Sequence, residues 1–313
     1  MNDIKIIEPI IIIGAPRSGT TLLFSILSSS HELWSLYRET HDIFEGSHNH
    51  PSKKNWTMGN KLDENDAPPE LIRWIHSELK RKVINYQRIF PNMVSAIDKK
   101  RGAQKIFYIL GQFSKIFKNK KIRIVEKTPK NCLRIPFINR IFPDALYIFI
   151  TRDGRANVSA LIEGWQTKGR FETYDLPVNL NIHGYEGKKW KFVLPPGWQK
   201  FVSGKVLAEV CAFQYISCNE EAIRSFKNIP NNRILKVKFE DLITEPIKTI
   251  KKICNFAKIK YEKGIKKCSE NLPVVNITSR PSIDNDWQQK HREDIEKIIP
   301  LIKPTMEALG YQI

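Results

Sequence analysis

The stretch "PIIIIGAPRSGTTLLFSIL", residues 9–27, decides the fold. Pro9 opens a run of four isoleucines, Ile10 to Ile13, and Gly14 closes it. An unbroken apolar run of that length between turn formers predicts a strand buried on both faces of a parallel sheet. Gly14 and Gly19 then let the backbone turn tightly and come close to an anion. Leu22, Leu23, Ile26 and Leu27 recur at helical spacing, so a helix is expected to begin between Ser18 and Thr20, its positive end toward that anion. Strand, glycine loop and helix in succession predict a phosphate site.

The spacing of Gly14, Gly19, Thr20 and Thr21 is that of the nucleotide loop G-x-x-x-x-G-K-[ST], with threonine where the lysine stands. Without that lysine the loop loses its grip on the β- and γ-phosphates of a triphosphate, and much of the reason to hold magnesium there. An ATP-dependent kinase of the same loop class is thereby disfavoured. What remains, Arg17, Ser18, Thr20 and Thr21, suits a less charged group that needs positioning, such as a 5'-phosphosulfate.

Further strands are expected at Ile122–Val125, Leu146–Ile150 and Ile234–Val237, each apolar and each followed by a polar loop and a helical pattern. That alternation implies βαβ units in an α/β fold whose ligands gather at the carboxyl ends of the strands. The chain's 313 residues suffice for one large domain without disulfide support. Two long, turn-rich stretches, residues 46–70 and 167–199, carry aromatic residues and are expected to wall an acceptor site. Cys132, Cys211, Cys218, Cys254 and Cys268 form no close pair and sit among core-like residues, which predicts buried thiols in a reducing compartment.

The apolar part of "MNDIKIIEPIIII" is too short for a membrane span, and the segment lacks the basic start of a signal peptide, so a cytoplasmic protein is expected. A net charge of +18 raises the question of a non-catalytic nucleic-acid binder. The lysines are dispersed, however, and in "KTIKKICNFAKIK" they are expected opposite an apolar stripe of Ile247, Ile250, Cys254 and Ala257. They read as a solvated helix face rather than a nucleic-acid arm. His41, His48 and His50 lie in a loop without nearby cysteines, so no metal site is expected.

"GAPRSGTTLL" resembles the 5'-phosphosulfate loop of the sulfotransferases that use 3'-phosphoadenosine-5'-phosphosulfate (PAPS), of bacterial type. The resemblance implies a P-loop-NTPase-like three-layer fold, a central parallel sheet flanked by helices, as a single domain over residues 1–313. It also implies donor contacts from Pro16, Arg17, Ser18, Gly19, Thr20 and Thr21. "TRDGRANVSALIEGW" (residues 151–165) resembles the family's 3'-phosphate motif, which implies that role for Arg152. The family usually has its serine at the position of Ala160; here Ser159 comes one earlier. Taken without the family, "RDGR" is a strand-to-helix turn capped by Asp153.

"VEKTPKN" (residues 125–131) resembles the segment whose lysine approaches the sulfuryl group, making Lys127 the match. The "FP" before the arginine motif further resembles the protein-tyrosine sulfotransferase branch. In "LYRETHDIFEG" (residues 36–46) the matching general base is Glu39. His41 is its rival, because the cytosolic small-molecule branch uses a histidine, and a salt bridge to Arg38 is the plain structural role for Glu39. "NITSRPSIDNDWQQKHREDI" (residues 276–295) resembles the closing segment, in which Ser279 and Arg280 would touch the donor. In "LKVKFEDLITEP", Glu240 and Asp241 are expected to be structural. The implied reaction transfers a sulfuryl group from PAPS to a hydroxyl, of a carbohydrate, tyrosine, polyketide or small alcohol or phenol. Adenosine 3',5'-bisphosphate is released.

Overall fold

The computed structural model describes residues 4–36, 39–46, 48–95, 121–273 and 286–312, with backbone alone for 84–95 and 286. Its centre is a parallel sheet of four strands. They are β1 (Ile10–Ile13), β2 (Val125–Lys127), β3 (Leu146–Thr151) and β4 (Ile234–Lys238), in the spatial order β4-β3-β1-β2. The chain leaves β1 to one side for β2 and returns to its other side for β3. The carboxyl end of β1 therefore opens between two neighbours, the point where α/β sheets bind ligands.

The isoleucine run serves both faces of the sheet. Ile11 and Ile13 enter one apolar cluster, Ile10 and Ile12 the other, and all four are at most 1% exposed. Each such side chain stabilises the fold by about 1.5–3 kcal/mol. The Ile10/Ile12 layer holds helix α1 (Thr20–Ser28) through Leu22, Leu23, Ile26 and Leu27, together with the helices Pro246–Ala257 and Lys263–Glu270. The opposite layer includes α2 (Gly154–Gln166), α3 (Leu207–Phe226) and α4 (Arg292–Ala308). Helices, sheet and helices give the three layers expected from the sequence.

Two expectations need correction. The strand sought at Ile122–Val125 is split: among the described residues Lys121–Ile122 pairs with Lys5–Ile6, and the central strand starts at Val125 and runs through two charged residues. In the helix Pro246–Ala257 the buried stripe is Ile250, Ile253, Cys254 and Ala257, whereas Ile247 is 41% exposed. Ile247 shares the spacing of that set, three residues before Ile250, but sits in the first turn of the helix, where it stays open. The stretches 46–70 and 167–199 hold short regular pieces. The first has short 3₁₀ turns at Pro51–Lys54 and Glu64–Asp66. The second pairs Glu172–Tyr174 with Trp190–Lys191, and Asn181–His183 with Ser203–Val206. The five cysteines are unpaired, and all but Cys268 are buried.

Candidate active site

The loop after β1 is shaped by two glycines. A Cβ on Gly14 would lie 2.6 Å from both the Ile150 carbonyl oxygen and Ser18 Oγ, so a side chain there would fill the turn. Gly19, at φ 93°, caps α1, and a Cβ on it would meet the Phe239 ring at 2.3 Å. Ser18 Oγ donates to the Ala15 carbonyl at 2.7 Å and closes the loop from inside. Arg17 holds a left-handed φ of 71°, an uncommon setting for a residue with a side chain. Helix α1 begins at Thr20, and the N–H groups of a helix's first turn have no partners within it.

Arg152, just past β3, reaches this loop directly: its Nη1 donates to the Arg17 carbonyl oxygen at 3.0 Å. Its guanidinium lies 4.7 Å from the centre of the Phe239 ring, the same ring that packs on Gly19. One aromatic side chain from the segment after β4 therefore supports both the loop and the arginine. Glu240 accepts from the Asp153 N–H at 2.9 Å and from Tyr311 Oη at 2.8 Å, the structural role expected of it. Burial lowers the pKa of both arginines, offset in part by Glu163 for Arg17 and by Glu240 for Arg152. An anion placed beside these two buried guanidiniums near a helix N-terminus would offset the cost of their burial. Asn157 of α2 adds a tie that the motifs did not show, its Nδ2 donating to the Pro16 carbonyl at 3.2 Å. Ser159 is buried in the same helix.

The register Ile12↔Lys127 brings the end of β2 alongside β1 just before the loop. There Lys127 Nζ donates to Glu39 Oε1 at 2.6 Å, and Glu39 Oε2 lies 2.6 Å from His41 Nε2. Lys127 is buried, its side chain 7% exposed, while Glu39 and His41 are open at 34% and 36%. The lysine is thus walled in, and the two candidate bases border solvent. Burial alone would push the Glu39 carboxyl up. The His41 hydrogen bond and the charge and hydrogen bond of Lys127 outweigh it and hold the carboxyl at about 2. The Nδ1 of His41 is buried with no hydrogen-bond partner among the described residues. The structure thus joins Lys127, Glu39 and His41 in one row, and Arg17 with Arg152 in another. Arg38, Ser279 and Arg280 lie outside the described residues.

Next to the row stands a second charged group that the motifs did not reveal. Lys130 Nζ donates to Glu45 Oε1 at 2.9 Å and to Tyr174 Oη, and Arg134 Nη2 donates to Glu45 Oε1 at 2.5 Å. Asn60 Nδ2 donates to Tyr174 Oη at 2.6 Å, so this group fastens both long stretches to the segment after β2. The 167–199 stretch also reaches the loop after β1, where the centre of the Phe171 ring lies 5.6 Å from the Arg17 guanidinium.

Residues 9–187, more than half of the chain, match the profile of the sulfotransferase family. A Caenorhabditis briggsae protein, provisionally described as a protein-tyrosine sulfotransferase, is 26% identical over 312 residues, covering 95% of this chain and 87% of its own. The solved sulfotransferase domain from the curacin biosynthetic pathway is 13% identical, covers 96% of this chain and 98% of its own, and superposes with a TM-score of 0.52, a likeness of fold. A Mycobacterium avium sulfotransferase structure is 12% identical over 99% of this chain and 79% of its own, with a TM-score of 0.49.

Proposed function

This chain belongs to the sulfotransferase family, and we propose that it acts as one domain, residues 1–313, moving a sulfuryl group from PAPS to an acceptor hydroxyl. The observation that supports this reading most is the hydrogen-bonded row Lys127–Glu39–His41 at the strand end beside a phosphate loop without lysine. An acid–base group and a buried cation stand together where a group held in the loop would present its far end.

In this reading Pro16, Arg17, Ser18, Gly19, Thr20 and Thr21 hold the 5'-phosphosulfate, on a loop packed too closely against Ile150, Ser18 and Phe239 to admit a side chain at Gly14 or Gly19. Arg152 takes the 3'-phosphate, with Ser159 and Arg280 as its expected partners, and Ser279 faces the transferring group. The acceptor oxygen bonds to sulfur in line as the bond from sulfur to the bridging phosphate oxygen breaks. Glu39 takes the hydroxyl proton, with His41 as the rival base. Lys127 and Arg17 meet the charge that develops on the leaving oxygen and the sulfuryl group, each such contact worth about 3 kcal/mol of barrier. The dispersed positive charge draws in an anionic donor. Five unpaired cysteines accord with the cytoplasm.

Among acceptors, a tyrosyl hydroxyl comes first, on the name of the C. briggsae relative, ahead of carbohydrate, polyketide and small alcohols or phenols. Labelled PAPS incubated with one acceptor of each class tests this. Label is expected in a hydroxyl ester of one class. Transfer of the γ-phosphate of ATP to the same acceptors, with label retained on PAPS, would contradict it.

A further inference from the structure

A carboxylic acid inside a buried three-residue strand calls for a reason. Glu126 lies between Val125 and Lys127 in β2, opposite Ile11 of β1, and is 3% exposed. At such a position an apolar β-branched residue costs nothing, whereas a carboxyl must find hydrogen bonds to offset its lost hydration. Glu126 finds three. Its Oε1 accepts from Thr40 Oγ1 at 2.7 Å and from Thr128 Oγ1 at 2.5 Å, and its Oε2 accepts from Asn131 Nδ2 at 2.5 Å. The Thr40 N–H donates in turn to Thr128 Oγ1 at 3.0 Å.

These partners matter because of their neighbours in the chain. Thr40 lies between Glu39 and His41, and Thr128 follows Lys127. Glu39 and Lys127 are 88 residues apart in sequence yet meet at 2.6 Å, and the bonds gathered by Glu126 run between their immediate neighbours. We propose that Glu126 is a positioning residue, which by holding Thr40 and Thr128 on one carboxyl oxygen sets where Glu39 meets Lys127. This rests on the roles proposed above for Glu39 and Lys127.

The hold works through bonds rather than charge. Burial pushes the Glu126 carboxyl up to about 7, against the pull of the Thr128 and Thr40 hydrogen bonds and of Lys127, with Glu39 adding to the push. Near neutral pH the group is thus partly protonated, and Oε1 can accept from both threonines in either form. Asn131 Oδ1 is buried without a hydrogen-bond partner among the described residues. Turned over, the Asn131 amide would offer that oxygen to a proton on Oε2. Glutamine at position 126 can reproduce the same pattern, with its amide oxygen toward the threonines and its amide nitrogen toward Asn131.

The test compares Glu126→Gln, Glu126→Leu and Thr40→Val in sulfuryl transfer from PAPS, alongside bisphosphate binding by calorimetry. Misplacement of a reacting group by about 1 Å can cost about 10²-fold in rate. Glu126→Leu and Thr40→Val are therefore expected to lower kcat by up to that factor while the bisphosphate Kd and the PAPS KM stay at wild type. Glu126→Gln is expected to keep most of kcat. A Gln variant as slow as Glu126→Leu would overturn the proposal by making the charge the active feature, and wild-type kcat in Thr40→Val would overturn it outright. If Glu126→Leu fails to fold, the Gln and Val variants still decide. Full activity in Glu39→Gln and Lys127→Ala would instead remove the catalytic reading on which the proposal stands.

Discussion

At Glu39 the resting structure ties the proposed base to the proposed charge stabiliser, and this has kinetic consequences. With its carboxyl held at about 2, Glu39 is ionised at any physiological pH but is a weak proton acceptor until a partner leaves. In the proposed reaction Lys127 turns to the leaving oxygen once the donor is bound, which lets the Glu39 carboxyl rise as the acceptor proton arrives. The Glu39→Gln variant is expected to lose about 10²–10⁴-fold in kcat with bisphosphate affinity close to wild type, because the base touches the acceptor and not the donor. A larger loss in His41→Ala than in Glu39→Gln would assign the proton to His41, whose Nδ1 lacks a hydrogen-bond partner among the described residues. For Lys127→Ala, the expectation is a slower rate with every acceptor alike. The acid limb of its kcat/KM against pH should also move up, since burial raises Glu39 against the His41 hydrogen bond and charge only, once the Lys127 charge and hydrogen bond are gone. An acid limb that stays in place would show that Lys127 does not govern Glu39.

The segment from β2 to Arg134 is the element on which both charged groups depend. Glu45 is held at about 2: burial pushes it up, and the charges and hydrogen bonds of Arg134 and Lys130 pull it further down. Its unfolded value is about 4.3, so the stability from this depressed carboxyl is present above about 4.3 and is lost as pH falls toward 2. Arg134 is 0% exposed and Lys130 4%, so removing their anion leaves buried charge uncompensated. Glu45→Gln is therefore expected to cost about 3–5 kcal/mol at pH 7, with the gap to wild type narrowing below pH 4. Thermal unfolding at several pH values reads this, and a gap independent of pH would refute the ion-pair account. The same element shows what sequence reading reaches. Fully buried strands such as β1 and β3 are visible as apolar runs. β2 is short and carries Glu126 and Lys127, so hydropathy placed it too early. Lys127 was found through its motif, whereas Glu126 owes its setting to Thr40, 86 residues away. A charged pair directly after an expected strand is the local signal that could have marked it.

On the scale of the whole molecule, the alternation of strands and helices announced parallel βαβ units, and the resemblance to sulfotransferases implied the three-layer architecture, whereas the strand order is seen only in the structure. The long stretches were not readable in detail, because their short strand pairs and the Glu45–Lys130–Tyr174 contacts join distant residues that no local pattern announces. The +18 charge acts at this scale too, as a field that speeds capture of any anion without choosing among them. In the proposed reading selectivity comes chiefly from Arg152, locked to the Arg17 carbonyl and the Phe239 ring, acting with a loop that has no lysine for a triphosphate. The direct test is calorimetric titration of the protein with adenosine 3',5'-bisphosphate, AMP and ATP with magnesium at one fixed salt concentration. The bisphosphate is expected to bind more tightly than AMP by about 1.5–3 kcal/mol, about tenfold or more in Kd, with most of the difference lost in Arg152→Ala. Equal affinity for AMP and the bisphosphate, or tighter binding of magnesium ATP than of either, would contradict a site built for PAPS.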